Sequence, residues 1–251
     1  MLGHPIRQAR TPEVFNRRMA EQGVDVVNVP VDLLETGLDA FFAMLRAMEN
    51  CVGCIITYPY KQRAFAAAST VSVQSAFLEA CNILKREADG SLSGSISDGQ
   101  GYLEALRRNG ISPRGKDVLL VGAGGAGAAI AYALAQAGIA RLVIVELDAE
   151  RQRKLADKLS EAFPGLEVLA APPQDFRYEL LCNASPAGMS GDTSMPYPLD
   201  RLGPEAIVTD IVPYPAETPW VQAAKARGLR TQTGPEMVDG QLDIIIKTLQ
   251  G

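Results

Sequence analysis

The chain has 251 residues, 47% of them apolar and 21% charged, with a formal net charge of −5. That balance suits a soluble globular protein of one large or two ordinary domains, and the acidic sum leaves no basic footprint for nucleic acid. No apolar run is long enough to span a membrane, the opening Met1-Leu2-Gly3-His4-Pro5 lacks a signal-peptide layout, and four cysteines without regular spacing point to a reducing, cytoplasmic setting.

In chain order, residues 12–23 read as a helix that starts at a Thr11-Pro12 cap and stops at Gly23. The β-branched run 24–31 reads as a strand, 41–49 as a helix and 52–57 as a short apolar strand. Cys51-Val52-Gly53-Cys54 is formally a C-x-x-C motif. It leads into the strand-like Cys54-Ile55-Ile56 instead of opening a helix, and only Cys81, Cys182 and His4 remain as further nitrogen or sulfur ligands. These thiols therefore read as packing residues, and no metal site is expected. Segments 64–68 and 76–80 are helix candidates. Strands 83–87 and 92–96 flank Asp89-Gly90, a hairpin signal. A helix over 99–109 ends at Asn109-Gly110, before the linker-like Ser112-Pro113-Arg114-Gly115.

Beyond residue 115 the pattern is a regular alternation: strand 118–121, helix 126–137, strand 142–145, helix 149–163, then strands 166–170, 180–183 and 207–210. Strands alternating with helices imply a parallel sheet covered on both faces. A last helix over 236–249 follows. Trp220, Met44 and Met48 read as packing residues.

Gly122-Ala123-Gly124-Gly125-Ala126-Gly127 is a G-x-G-x-x-G between an apolar strand and an alanine-rich helix. In that setting Gly122 permits the tight turn, Gly124 lets backbone N–H groups approach a pyrophosphate, and Gly127 allows helix and strand to pack closely. Glu146 stands at the end of the next strand. It is either an exposed strand-end acid or the carboxylate that accepts the adenosine ribose hydroxyls. In the second role it repels a 2′-phosphate, so NAD is favoured, with NADP possible through Arg151 or Arg153. A hydride transfer also needs a proton carrier, and with one histidine the role falls to lysine, tyrosine or a carboxylate. Thr57-Tyr58-Pro59-Tyr60-Lys61 presents a lysine at a strand end, and Ser97-Asp98-Gly99 an acid in a turn before a helix.

These segments resemble the shikimate/quinate dehydrogenase family over nearly the whole chain and in the family's order. Gly3-His4-Pro5-Ile6 with Thr11-Pro12 is similar to the opening substrate loop, and Thr57-Tyr58-Pro59-Tyr60-Lys61 to the T-x-P-x-K lysine segment. Cys81-Asn82 matches a substrate asparagine, Ser97-Asp98-Gly99 the aspartate turn, and Gly122 to Gly127 the glycine loop. Asn183-Ala184-Ser185-Pro186-Ala187-Gly188-Met189 is similar to the nicotinamide-side loop, and Gly234-Pro235-Glu236-Met237 with Gln241 to the closing helix.

The resemblance implies an α/β protein of two domains, with a cleft between them. The substrate domain is expected over 1–99, with the helix 234–251 returning to it, and the Rossmann domain over 100–233. It implies Lys61 and Asp98 as the catalytic pair, and Thr11, Thr57, Asn82 and Gln241 as substrate contacts. Gly122, Gly124, Gly125, Ala126, Gly127, Glu146, Asn183, Ser185, Met189 and Gly234 would face the cofactor. The bare alternatives are a solvated lysine at 61 and a helix N-cap at 98. The implied partner is a small cyclic hydroxy acid, with no nucleic acid or membrane, in a monomer or homodimer.

The chain departs from the family pattern at the substrate's carboxylate end. The loop's His-Ser pair is Gln8-Ala9, so only Thr11 keeps a hydroxyl, and Ile55 replaces an asparagine. Pro213 stands where D-x-V-Y-x-P has its tyrosine, and Glu146-Leu147-Asp148 replaces an NADP-type Asn-Arg-Thr. Arg7 and Arg10 are solvated or supply compensating charge. Only two residues precede Gly3, so the family's first strand is expected to be short, with a longer native N-terminus left open. These changes predict an intact catalyst with shifted preference, towards quinate-like or amino-substituted acids. The rival readings are a catalytically silent NAD sensor of the same fold and a methylene-tetrahydrofolate dehydrogenase. The latter's Y-x-x-x-K pair is absent because Thr57, not a tyrosine, lies four before Lys61.

Overall fold

The computed structural model describes residues 1–7 and 9–250; Gln8, one of the loop departures above, and Gly251 lie outside the described residues. The chain separates into two compact units: Met1–Ser97 with the chain from Leu242 onward, and Asp98–Gln241.

In the first unit the elements run β1 (Leu2–Gly3), α1 (Thr11–Glu21), β2 (Val31–Asp32), α2 (Leu38–Ala47), β3 (Gly53–Ile55), α3 (Lys61–Ala67), β4 (Thr70–Val71), α4 (Val73–Leu78), β5 (Ile83–Arg86) and β6 (Leu92–Ser95). The strands β3, β5, β6 and β4 form a mixed sheet in that order, antiparallel except for the β4–β6 pair. β1 pairs in parallel with β2, and Leu2 also bridges in parallel to Ile56. One apolar cluster lies under α2, from Leu2, Leu38, Phe42, Leu45, Cys54, Ile56 and Leu84. The other joins Phe15 and Met19 of α1 to Ile55, Ile83 and the C-terminal Leu242, Ile245, Ile246 and Leu249. Phe15 and Met19 lie one helical turn apart, which turns a single apolar stripe of α1 to that cluster.

The strand expected over 24–31 is confined to its last residue and Asp32. The physical reason is a substitute partner: the Asn16 amide donates to the Asn28 carbonyl (3.0 Å) and accepts from the Asn28 N–H (2.6 Å). α1 also opens one residue earlier than expected, with Arg10 at the cap position and no side-chain cap bond, so Thr11 is inside the helix and is not its cap. Met44 and Met48, read as packing residues, are 51% and 37% exposed. Trp220 is fully buried, as a packing residue should be.

The second unit continues with α5 (Asp98–Arg108), β7 (Asp117–Val121), α6 (Gly125–Gln136), β8 (Arg141–Val145), α7 (Ala149–Ala162), β9 (Glu167–Leu169), β10 (Leu180–Asn183), β11 (Ile207–Asp210), α8 (Pro219–Ala226), β12 (Arg230–Gln232) and α9 (Gly234–Gln250), whose last turns belong to the first unit. Its described strands form one parallel sheet in the order β12-β11-β10-β7-β8-β9. Counted from β7 this is 3-2-1-4-5-6, the doubly wound order whose ligand crevice lies where the order reverses, between β7 and β10. The buried runs Asp117–Val121 and Leu180–Asn183 sit at that reversal and are covered on both faces. At the opposite strand ends, fully buried Asp117 takes Arg141 and Arg177, and the Arg141 guanidinium holds its carboxyl well below the usual carboxylate range despite burial. Among the described residues no helix is long and apolar enough to cross a membrane.

Candidate active site

In the first unit Thr57 and Lys61 follow β3 and Asn82 directly precedes β5, while Thr11 lies on α1. After β3 the Thr57 N–H donates to the Leu2 carbonyl (2.9 Å), and Tyr60 N–H to the Thr57 carbonyl (3.0 Å), closing a turn through the cis Tyr58–Pro59 bond. That turn puts Lys61 at the first position of α3. Its backbone is fixed from two sides: buried Tyr60 donates its hydroxyl to the Leu33 carbonyl (2.6 Å), and Cys81 N–H donates to the Lys61 carbonyl (2.9 Å). Asn82 is buried. Its Nδ2 donates to Ser97 Oγ (3.0 Å), and its Oδ1 accepts from the Ser97 N–H (2.9 Å). One amide thus pins the corner whose next residue is Asp98. Thr11 is half-buried at the first position of α1.

In the second unit buried Asp98 opens α5, and Gln241 Nε2 donates to its Oδ1 (3.1 Å). Two glycines permit that approach. A Cβ on Gly101 would run into the Gln241 side chain and lie 2.8 Å from its backbone nitrogen, and a Cβ on Gly240 would collide with the Gly101 carbonyl. α5 and α9 therefore cross backbone to backbone, and the crossing delivers Gln241 to Asp98.

The glycine loop lies at the C-terminal end of β7, at the reversal of strand order. Gly122 has φ +97°, and a Cβ there would meet the Ala184 carbonyl at 2.8 Å and the Ser185 nitrogen at 2.9 Å. A Cβ on Gly127 would strike the Gly122 carbonyl oxygen. Gly124 and Gly125, by contrast, face open space, and α6 starts at Gly124 without a side-chain cap. The first and last glycines are required by protein contacts; the middle pair leaves an uncovered helix N-terminus with room for an anion. Ala126 lies in the same first turn of α6. These are the features that a dinucleotide pyrophosphate needs.

Glu146 follows β8 and turns its carboxylate back on the loops. Oε2 accepts from Ala123 N–H (2.7 Å), and Oε1 from the N–H groups of Leu147 (2.8 Å) and Asp148 (3.2 Å). Burial alone would raise its pKa, but these donors and Arg151 outweigh burial and hold it below the usual value. Arg151 reaches both Glu146 (3.7 Å) and Asp148 (3.5 Å), and Arg153 pairs with Asp157 at 3.9 Å. Leu147 projects fully into solvent.

Across the reversal, Asn183 ends β10 fully buried. Its Oδ1 accepts from the Ser185 N–H (3.0 Å) and hydroxyl (2.6 Å), while Nδ2 donates to the Ala187 carbonyl and to Asp210 Oδ1, each at 3.1 Å. Asp210 in turn accepts from Val212 N–H (2.9 Å) and the Thr218 hydroxyl (2.7 Å); burial pushes its pKa up in spite of them. Gly188 sits against Thr218, and exposed Met189 follows it. Gly234 opens α9 where a Cβ would collide with the Val212 carbonyl. Sequence reasoning had the ends of this network, Asn183 and Gly234, but missed Thr218 and the part played by Asp210. The signal was Thr218-Pro219, a cap residue followed by proline at the helix start, which is how α8 begins.

The departures also have definite places. Ile55 is 5% exposed in the core with Phe15, Met19 and Ile83, so that position offers no polar group. Pro213 and Tyr214 are exposed.

The shikimate dehydrogenase substrate-binding domain matches residues 1–84. The shikimate dehydrogenase (NADP(+)) of Rubrobacter xylanophilus is 34% identical over 247 residues, covering 95% of this chain and 85% of that one. The ligand-free 5-ketofructose reductase of Gluconobacter sp. strain CHM43 matches with a TM-score of 0.91 at 28% identity, over 99% of this chain and 90% of that one. The shikimate 5-dehydrogenase of Listeria monocytogenes, in complex with shikimate and NAD, matches with a TM-score of 0.91 at 26% identity, over 99% and 90% of the two chains.

Proposed function

The chain belongs to the shikimate/quinate dehydrogenase family, and from that premise we propose that it uses NAD to interconvert a ring hydroxyl and ketone on a shikimate- or quinate-like cyclic hydroxy acid. It is a nicotinamide-dependent dehydrogenase of the shikimate/quinate type. The observation that carries the catalytic reading is the joint retention of Lys61, Asp98, Asn82 and Gln241, with Gln241 held on Asp98.

Bound nicotinamide supplies the hydride acceptor or donor. In the oxidation direction Lys61 takes the hydroxyl proton; in reduction its ammonium polarises the carbonyl oxygen and returns the proton. Asp98 is the second catalytic group that the family resemblance implies, and Gln241 holds its carboxylate through the Nε2–Oδ1 bond. Asn82 and Thr57 bind substrate hydroxyls, and Thr11 the carboxylate end. Gly122 to Gly127 would seat the pyrophosphate, while the Asn183–Ser185 loop, Met189 and Gly234 would line the nicotinamide side.

For the cofactor, Glu146 supports NAD. Its ionised carboxylate at the end of β8 repels a 2′-phosphate, and Arg151 is already engaged with two acids. The Rubrobacter relative is named for NADP(+). For the substrate, Ala9 and core-packed Ile55 support a shifted preference, since losing one partner to a desolvated charge costs about 1–3 kcal/mol. Similarity to a reductase named for a ketosugar favours the same relaxation. Four unpaired thiols suit a reducing, cytoplasmic compartment.

The test is absorbance of reduced nicotinamide with NAD or NADP against shikimate, quinate and an amino-substituted analogue. The reading predicts turnover with NAD and a weak response to shikimate. Turnover confined to NADP and shikimate would overturn both the cofactor and the substrate assignment. Binding of NAD without turnover on any acid would favour the silent sensor.

A further inference from the structure

The second unit carries a cavity of about 450 Å³ at the N-terminal ends of β7, β10, β11 and β12, the end of the parallel sheet opposite the glycine loop. Buried Ile111, Ala206 and Ile207 line its apolar part, and charged side chains line much of the rest. Four are cations, Arg114, Lys116, Arg177 and Arg230, and two are carboxylates, Glu179 and Glu205. The cavity is therefore positive in a chain whose net charge is −5.

Internal pairing does not use up that charge. Glu179 accepts from the Asp117 N–H (2.9 Å) and lies 3.2 Å from Arg177 and 3.9 Å from Lys116, so one carboxylate serves two cations. Arg177 also reaches buried Asp117 at 3.2 Å, but that carboxyl is already held by Arg141. Arg230 donates to backbone carbonyls, those of Asn109 (2.7 Å) and Gly110 (3.5 Å), which hold its guanidinium in place without neutralising it. Arg114 is exposed and makes no ion pair among the described residues. Glu205 is exposed as well, and its charge opposes an anion in the cavity.

One wall is built at a cost in backbone strain. Tyr178, between Arg177 and Glu179, has φ +49°, a left-handed conformation that a bulky aromatic residue seldom takes. Its ring is held edge-on to Phe176 (centroids 5.0 Å apart), and its hydroxyl lies 3.3 Å from that of Tyr197. The turn lets the Arg177 N–H and the Glu179 carboxylate both meet Asp117, and both side chains then line the cavity. Strain of this kind persists where neighbouring contacts enforce it, and it gathers at positions that bind or switch.

We propose that this cavity is a binding site for a small anion of two or more negative charges, whose phosphate or carboxylate groups sit between Arg114, Lys116 and Arg230. A guanidinium presents a planar fork that matches two oxygens of either group, and the Lys116 ammonium adds a point charge. The volume falls within the range of small-molecule sites, about 300–1,000 Å³. The bound anion fastens the chain leaving α5, residues 110–116, to the start of β12, which Arg230 already joins through its two carbonyl bonds.

The experiment titrates pyrophosphate and, separately, citrate into the parent chain, R114E and E205Q, by calorimetry and by thermal unfolding. Without anion both variants are expected to unfold at the parent's temperature, because the two side chains are exposed. At least one of the anions is expected to bind the parent and to raise Tm by several degrees at about 100 times its Kd. R114E is expected to weaken that binding by at least about tenfold, and E205Q to tighten it by about threefold. Binding of this kind by pyrophosphate alone assigns the seat to phosphate, and by citrate alone to carboxylates. Failure of both anions to bind the parent would overturn the proposal. So would binding that R114E and E205Q leave unchanged, because the anion would then sit elsewhere, as on the glycine loop.

Discussion

Replacing Gly122 and Gly124 one at a time separates what the glycine loop does for the fold from what it does for the cofactor. A methyl on Gly122 meets only backbone, the Ala184 carbonyl at 2.8 Å and the Ser185 nitrogen at 2.9 Å, so no side-chain rotation relieves it. The φ of +97° adds about 1–3 kcal/mol of strain for a non-glycine residue, and overpacking adds about 1–3 kcal/mol more. G122A is therefore expected to lose about 2–6 kcal/mol of stability. Gly124 has φ −69° and nothing within 4 Å of a built Cβ, so G124A is expected to stay within about 0.5 kcal/mol of the parent. That methyl stands over the uncapped start of α6, and NAD affinity should fall by at least about tenfold. Urea unfolding followed by the fluorescence of Trp220, the single tryptophan and fully buried, reads the first quantity, and NAD titration reads the second. A G122A variant as stable as the parent, or a G124A variant that binds NAD unchanged, would refute these roles.

G101A should push α9 off α5 and free Gln241 from Asp98, raising KM and lowering kcat together; kinetics matching the parent would separate Gln241 from the site. Because Arg141 depresses the Asp117 carboxyl, its stabilising contribution is present above the unfolded carboxylate pKa near 3.8 and is lost as pH falls through the lower folded value. The stability gap between parent and D117N should therefore be widest near neutrality and shrink below about pH 4, and a gap independent of pH contradicts the pair. Burial pushes the Cys54 thiol up to about 11 and Cys182 up to about 12. An aromatic disulfide reagent at pH 8 is therefore expected to label half-buried Cys51 first and to reach all four thiols only in denaturant; rapid labelling of Cys54 or Cys182 would refute their burial.

The second unit was largely legible because its chemistry is local. β7, β10 and β11 are fully buried parallel strands that show themselves by the apolar stretches 118–121, 180–182 and 207–208, and the glycine loop is fixed by its strand and helix neighbours. Distant contacts were not legible. Nothing in the run 24–31 says that the Asn16 side chain, twelve residues before Asn28, will stand in for a strand partner there. β12 and α8 escaped notice because Arg230–Gln232 is short and polar and the Thr218-Pro219 start signal was passed over. In the site, Lys61 and Asp98 came from motif order, but the bonds from Gln241 to Asp98 and from Asn82 to Ser97 span 143 and 15 residues. Met44 and Met48 looked like core by residue type alone; their exposure depends on what lies beside α2, which periodicity does not encode.

The central claim is that Lys61 moves the proton in a nicotinamide-linked dehydrogenation, and K61A measures it most directly. Turnover is followed at the reduced-nicotinamide band on the best acid found for the parent, and NAD affinity is measured on the same preparation. Turnover is expected to fall by at least about a hundredfold while NAD binding stays within a factor of about two. Undiminished turnover in K61A, with NAD bound as in the parent, would contradict it.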